Sequence, residues 1–92
     1  MHKALTHNRG DHVAVAVATI APGEEVTVVY MDDDSMESVV ARAEVPYGHK
    51  IAVQPCTRDA SVLEYGVRIG VATSNIELGD YVHTHNLKTA RW

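Results

Sequence analysis

The chain has 92 residues, enough for one small domain with a thin stability margin. Its 46% hydrophobic and 22% charged residues form a globular balance that argues against intrinsic disorder. The net charge of −4 argues against nucleic-acid binding, which needs a basic footprint, and the length argues against a complete enzyme with a deep pocket of its own.

Phe is absent, while fourteen Val and four Ile stand against four Leu. The core must be aliphatic, and β-branched side chains favour strands. Val13–Ala18 alternates Val with Ala at period two, a strand pattern. Asn8-Arg9-Gly10-Asp11 before it and Ala21-Pro22-Gly23 after it read as turns, and Val26–Tyr30 as the next strand. Asp32-Asp33-Asp34 is an acidic, turn-prone tip. Ser35–Val45 is ambiguous between a short helix capped by Ser35 and a strand. Pro46 and the poor helix formers Val39 and Val40 tilt it to strand or irregular structure. Lys50–Val53, Ser61–Tyr65, Gly66–Thr73 and Asp80–His85 follow as short strands. The expectation is one mostly β domain over residues 1–92, a compact antiparallel barrel or clip with little or no helix.

One pattern recurs: apolar-x-x-Gly-x-x-apolar, at Ile20…Gly23…Val26, Val45…Gly48…Ile51, Leu63…Gly66…Ile69 and Ile76…Gly79…Val82. It reads as strand end, reversal at Gly, strand start, with the flanking pair facing the core. The unequal Gly spacings of 25, 18 and 13 exclude a solenoid.

Charge is uneven. Residues 1–46 carry three basic and eight acidic groups (−5), and residues 47–92 carry five and four (+1). An anionic ligand is better received in the second half. There, a strand over 81–85 puts His83 and His85 on one face, where two imidazoles can share a metal or an acid–base task. Two His alone leave a zinc site incomplete, which weakens a stand-alone metal carrier. Asn86 adds an amide able to orient a carboxylate or water. His49 and Lys50 after Gly48 offer a donor and a fixed charge for a carboxylate or sulfonate. Asp11 either orients a His from another strand or caps a turn. The single Cys56 and the lack of a leader or apolar span suit a cytoplasmic protein. The tail 87–92, ending Arg91-Trp92, suits docking on a partner.

Taken in order, Asp11-His12-Val13-Ala14-Val15-Ala16, Pro46-Tyr47-Gly48-His49-Lys50-Ile51-Ala52, Glu64-Tyr65-Gly66-Val67-Arg68-Ile69-Gly70, Ala72-Thr73 and Gly79-Asp80-Tyr81-Val82-His83-Thr84-His85-Asn86 resemble the SAF-type domain of the altronate/galactarate dehydratase family of lyases. The resemblance covers nearly the whole chain. It implies a β-clip fold and the role of a separately made small subunit, inactive without a large catalytic partner. It also implies elimination of sulfite from sulfolactate, or of water from a sugar acid, and a divalent metal, iron, in the assembled enzyme. On that reading His83 and His85 are metal ligands or acid–base groups, His49 and Lys50 hold the anionic end of a small hydroxy acid, and Asn86 orients it. The rival of another class is a non-catalytic SAF module that binds carbohydrates or anions.

Overall fold

The computed structural model describes residues 3–89. Among them are nine strands: β1 (Ala4–Thr6), β2 (Val13–Ala16), β3 (Glu25–Tyr30), β4 (Ser35–Val40), β5 (Lys50–Ala52), β6 (Ser61–Glu64), β7 (Val67–Ala72), β8 (Tyr81–Val82) and β9 (Leu87–Thr89). No described residue is helical, so no described helix is long and apolar enough to cross a membrane. The mostly β expectation holds, and the ambiguous segment resolves as strand over Ser35–Val40.

The strands form a six-stranded sheet in the order β4-β3-β1-β2-β5-β8 and a three-stranded sheet in the order β6-β7-β9. All pairs are antiparallel except β1 with β3. The short strands β1 and β9 carried too little pattern to be read from the sequence.

Between the strands lies one device used four times. Its members run Ala16…Ile20…Gly23…Val26, Ala41…Val45…Gly48…Ile51, Ala52…Cys56…Asp59…Val62 and Ala72…Ile76…Gly79…Val82. They work as two reciprocal pairs. Ile20 and Val45 exchange backbone hydrogen bonds of 2.9 and 3.0 Å, and Cys56 and Ile76 exchange bonds of 2.9 and 2.7 Å. The reversal residue then reaches across to its partner's Ala. Gly23 N donates to Ala41 O, Gly48 N to Ala16 O, Asp59 N to Ala72 O, and Gly79 N to Ala52 O. Each Ala N donates back to the carbonyl of the residue after that reversal: Glu24, His49, Ala60 or Asp80. Both backbone groups of a buried Ala are thereby satisfied. The reversal demands positive φ, observed at 80° for Gly23, 82° for Gly48, 72° for Asp59 and 89° for Gly79.

Three of the four expected repeats are therefore clips. The Leu63…Gly66…Ile69 repeat is instead a two-residue hairpin, with both Tyr65 (φ 54°) and Gly66 (φ 72°) at positive φ, as a type I′ turn needs. Leu63 and Ile69 are only partly buried there, so they are not the core pair that the pattern suggested. The fourth clip was hidden because Cys56 replaces Ile or Val and Asp59 replaces Gly.

Two buried clusters result. The larger gathers Ala14, Ile20, Val26, Val28, Tyr30, Val39, Val45 and Ile51 with their neighbours. The smaller lies between the sheets and joins Val13, Ala52 and Val82 to Cys56, Val62, Ala72 and Ile76. Strands β2 and β5 feed both clusters, because successive side chains point to opposite faces. Tyr30 is fully buried, with the Arg9 guanidinium 4.8 Å from its ring centroid. Burial and the neighbouring Glu37 charge push its phenol up to about 12.

Candidate functional site

The strand expected over 81–85 stops at Val82, and residues 83–86 form a turn. Asn86 causes this. Its side-chain oxygen accepts from His83 N at 2.9 Å, its side-chain nitrogen donates to Tyr81 O at 2.9 Å, and its own backbone N donates to His83 O at 3.1 Å. Asn86 is buried, and both ends of its amide are spent on the turn. In this structure it builds the platform on which the histidines stand, and the turn holds the amide expected to orient a ligand.

His83 and His85 are exposed on that turn rather than aligned along a strand face. What unites them is Tyr81. The His83 ring lies parallel to Tyr81, with centroids 5.5 Å apart and an interplanar angle of 8°. His85 packs tilted on the same phenol at 5.8 Å. From the paired strand β5 side, His49 sits 5.3 Å from His83, and its Nδ1 lies 2.6 Å from the Tyr81 hydroxyl. Three imidazoles thus surround one phenol, and the hydrogen bond to Nδ1 leaves Nε2 of His49 for a ligand. Imidazole and phenol are among the side chains that general acid–base chemistry uses. Tyr81 was missed in the sequence because its link to His49 exists only through the register Ile51↔Tyr81.

His49 and Lys50 do not act side by side. Lys50 pairs with Val15 and Val82 across the sheet, on the face opposite to Ile51 and Tyr81. Its ammonium lies 4.0 Å from Glu64 Oε1. Burial pushes the Glu64 carboxyl above its ordinary value, with Lys50 working against that and the Asp11 charge adding to it.

Asp11 does not orient a histidine. Its fully buried carboxylate accepts from Thr6 Oγ1 at 2.6 Å, Asn8 N at 3.1 Å, Tyr65 N at 3.0 Å and Gly66 N at 2.8 Å. It staples the β6–β7 hairpin to the start of β2, the turn-capping alternative made over a long range. His12 continues the staple, with Nδ1 accepting from Leu63 N at 2.9 Å.

Among the described residues no group of three or more His, Cys, Asp or Glu side chains converges to hold a metal ion. His83 and His85 therefore offer at most part of a ligand set, short of the three protein ligands of a catalytic metal site. The expected docking tail spans residues 87–92. Leu87–Thr89 pairs with β7 as an edge strand, while residues 90–92 lie outside the described residues.

Comparison with known proteins adds a frame to this geometry. A family model described as the altronate/galactarate dehydratase SAF domain matches residues 2–90. The (2R)-sulfolactate sulfo-lyase subunit alpha of Chromohalobacter salexigens is 35% identical over 89 residues, covering 96% of this chain and 95% of that one. The subunit of the same name from Paracoccus pantotrophus is 39% identical over 64 residues, covering 70% and 96% respectively. Altronate dehydratase of Escherichia coli is 40% identical over 79 residues, covering 86% of this chain and 15% of the enzyme.

Proposed function

The chain belongs to the altronate/galactarate dehydratase SAF-domain family, and we propose that it is the small subunit of a two-component lyase that eliminates sulfite from (2R)-sulfolactate. The observation that carries this reading is the end-to-end match to a sulfo-lyase alpha subunit, over 96% of this chain and 95% of that one. A second reading, a subunit of a sugar-acid dehydratase, draws on the altronate dehydratase match, in which this domain spans 15% of the enzyme.

In the sulfolactate reaction a base takes the proton from the carbon bearing the hydroxyl and carboxylate. The freed electron pair forms the carbon–carbon double bond. Sulfite leaves the neighbouring carbon with the carbon–sulfur pair, and the enol tautomerises to pyruvate. The His49–Tyr81–His83–His85 cluster supports a part in this chemistry, since it sets proton-exchanging rings around a phenol at an accessible surface. Nε2 of His49 would accept or return a proton, with Tyr81 fixing the ring. Lys50 would contribute positive charge from the opposite face of β5 rather than as a partner of His49. The divalent metal implied by the resemblance, iron, belongs in this proposal to the large subunit, because this chain's described residues fall short of a ligand set. A buried Cys56 with no disulfide suits a reducing cytoplasm.

The test is co-expression with a large subunit of the family, followed by assays of sulfite release from (2R)-sulfolactate and of water loss from altronate and galactarate. Sulfite release by the complex is the expected result. His49→Ala, His83→Ala and His85→Ala should each lower it by about 10²-fold, the scale of a lost acid–base group. A stable complex that turns over none of the three substrates overturns the lyase reading. Full activity in all three variants overturns the site.

A further inference from the structure

We propose that a groove on the outer face of the three-stranded sheet binds a small hydroxylated monocarboxylate. The groove has a volume of about 310 Å³ and is lined by Asp59, Arg68, Val71, Thr73, Lys88 and Thr89. Ligand sites begin at roughly 300 Å³, so this one suits a ligand of a few carbons. It shares no residue with the His49–Tyr81 cluster, and it does not depend on the lyase reading.

The backbone is shaped to bring these groups together. In a regular strand Arg68 and Val71 would face opposite sides. The pairing of β6 with β7 shifts register between Val62 and Leu63: Val62 faces Gly70, whereas Leu63 faces Arg68. Ile69 is the extra residue of a β-bulge, a device that re-aims side chains. The bulge turns Arg68 onto the outer face that Val71 shares with its cross-strand partner Lys88. Ile69 turns inward against the smaller core.

The floor of the groove carries a second departure from regularity. Three of the four clips place Gly at the positive-φ reversal, but the clip beside the groove places Asp59 there, at φ 72°. A non-Gly residue in that region carries strain. The strain is accepted at the clip whose side chain lines a groove.

The charges are also unspent. Among the described residues Lys3, Arg9, Arg42 and Lys50 lie within ion-pair distance of carboxylates, whereas Arg58, Arg68 and Lys88 do not, and of these three Arg68 and Lys88 line the groove. The planar Arg68 guanidinium matches a carboxylate with two parallel N–H donors, and Lys88 adds a second positive charge. Thr73 Oγ1 lies 3.4 Å from the His85 carbonyl, to which it donates, so its oxygen remains an acceptor. The Asp59 carboxylate accepts from a ligand hydroxyl and repels a second anionic group. The set therefore selects one negative charge together with one or more hydroxyls.

The experiment is titration of the ¹⁵N-labelled full chain with sodium D-glycerate, read as amide shifts, against sodium propionate and glycerol. Saturable shifts centred on Arg68, Val71, Thr73 and Lys88 are expected with glycerate. Binding should be at least ten-fold weaker for propionate and absent for glycerol. The double variant Arg68→Gln/Lys88→Gln, altered at two exposed positions, should lose ten-fold or more in affinity. Asp59→Gly, which suits the local φ and keeps the fold, should erase the preference for glycerate over propionate. Shifts centred on residues 83–86, equal binding of propionate by the unaltered chain, or unchanged affinity in the double variant would each overturn the proposal.

Discussion

Asp11 shows how one residue carries a long-range contact in this domain. Burial alone would raise its carboxyl, but hydrogen bonds from Thr6, Gly66, Asn8 and Tyr65 outweigh that and hold it below its ordinary value of 3.8. A lowered carboxyl contributes stability that is present above the unfolded value and is lost as pH falls through the folded one. Stability of the native chain should therefore drop steeply below about pH 4, while Asp11→Asn should be flatter there. Asp11→Ala leaves buried amides unpaired and should cost about 2–4 kcal/mol in urea unfolding at pH 7. A cost under about 1 kcal/mol would show that the staple is dispensable. The sequence marked Asp11 as a turn residue or a histidine partner, and only the fold shows that its donors come from Tyr65 and Gly66. His49 and Tyr81 teach the same lesson, since the 2.6 Å contact that defines the site spans two strands with unrelated local patterns.

At the scale of elements, the four clips make an internal control. A Cβ on Gly79 would overlap the carbonyl oxygen of Val40, at a φ of 89° that disfavours any side chain. Gly79→Ala should lower stability by about 2–4 kcal/mol. Asp59→Gly relieves strain at the equivalent position and should change stability by no more than about 1 kcal/mol. Thermal unfolding followed by circular dichroism separates the two outcomes, and equal losses would refute the equivalence of the clips. The device was legible where Gly and a β-branched residue announced it, at Gly23, Gly48 and Gly79. It was illegible at Cys56 and Asp59 because the requirement is a positive φ and a buried apolar contact, which other residues can meet at some cost. With the leading Ala included and Asp admitted for Gly, one spacing of four, three and three residues runs through all four clips. Asn86 is the opposite case. The period of two carried the strand reading past Val82, but a side chain that bonds to its own backbone neighbours ended the strand there.

For the whole molecule, the two buried clusters share strands β2 and β5. Ile51 packs in the larger and Ala52 in the smaller. Loss of the smaller cluster would expose the apolar side chains that β2, β5 and β8 present to it, Val13, Ala52 and Val82, so the chain should unfold in one cooperative step. Ile51→Ala, in the larger cluster, should cost about 2–5 kcal/mol. Val62→Ala, in the smaller, should cost less but lower the same single transition. Circular dichroism and native-state hydrogen exchange are the checks, and a separate early transition for β6, β7 and β9 in Val62→Ala would contradict this coupling.

By itself the sequence determined the class of structure: strands from its Val-rich, Phe-free composition, reversals at Gly, a more basic second half and membership of the family. The strands and reversals follow from local preferences, which a residue expresses whatever it later meets, and charge and family are carried by the order of residues alone. Tertiary structure alone decided which side chains meet. It set His49 against Tyr81, sent Lys50 to Glu64, spent Asn86 on a turn and Asp11 on a hairpin, and turned Arg68 outward through a bulge. In a β domain those meetings depend on register between strands far apart in the chain, and a shift of one residue exchanges the two faces.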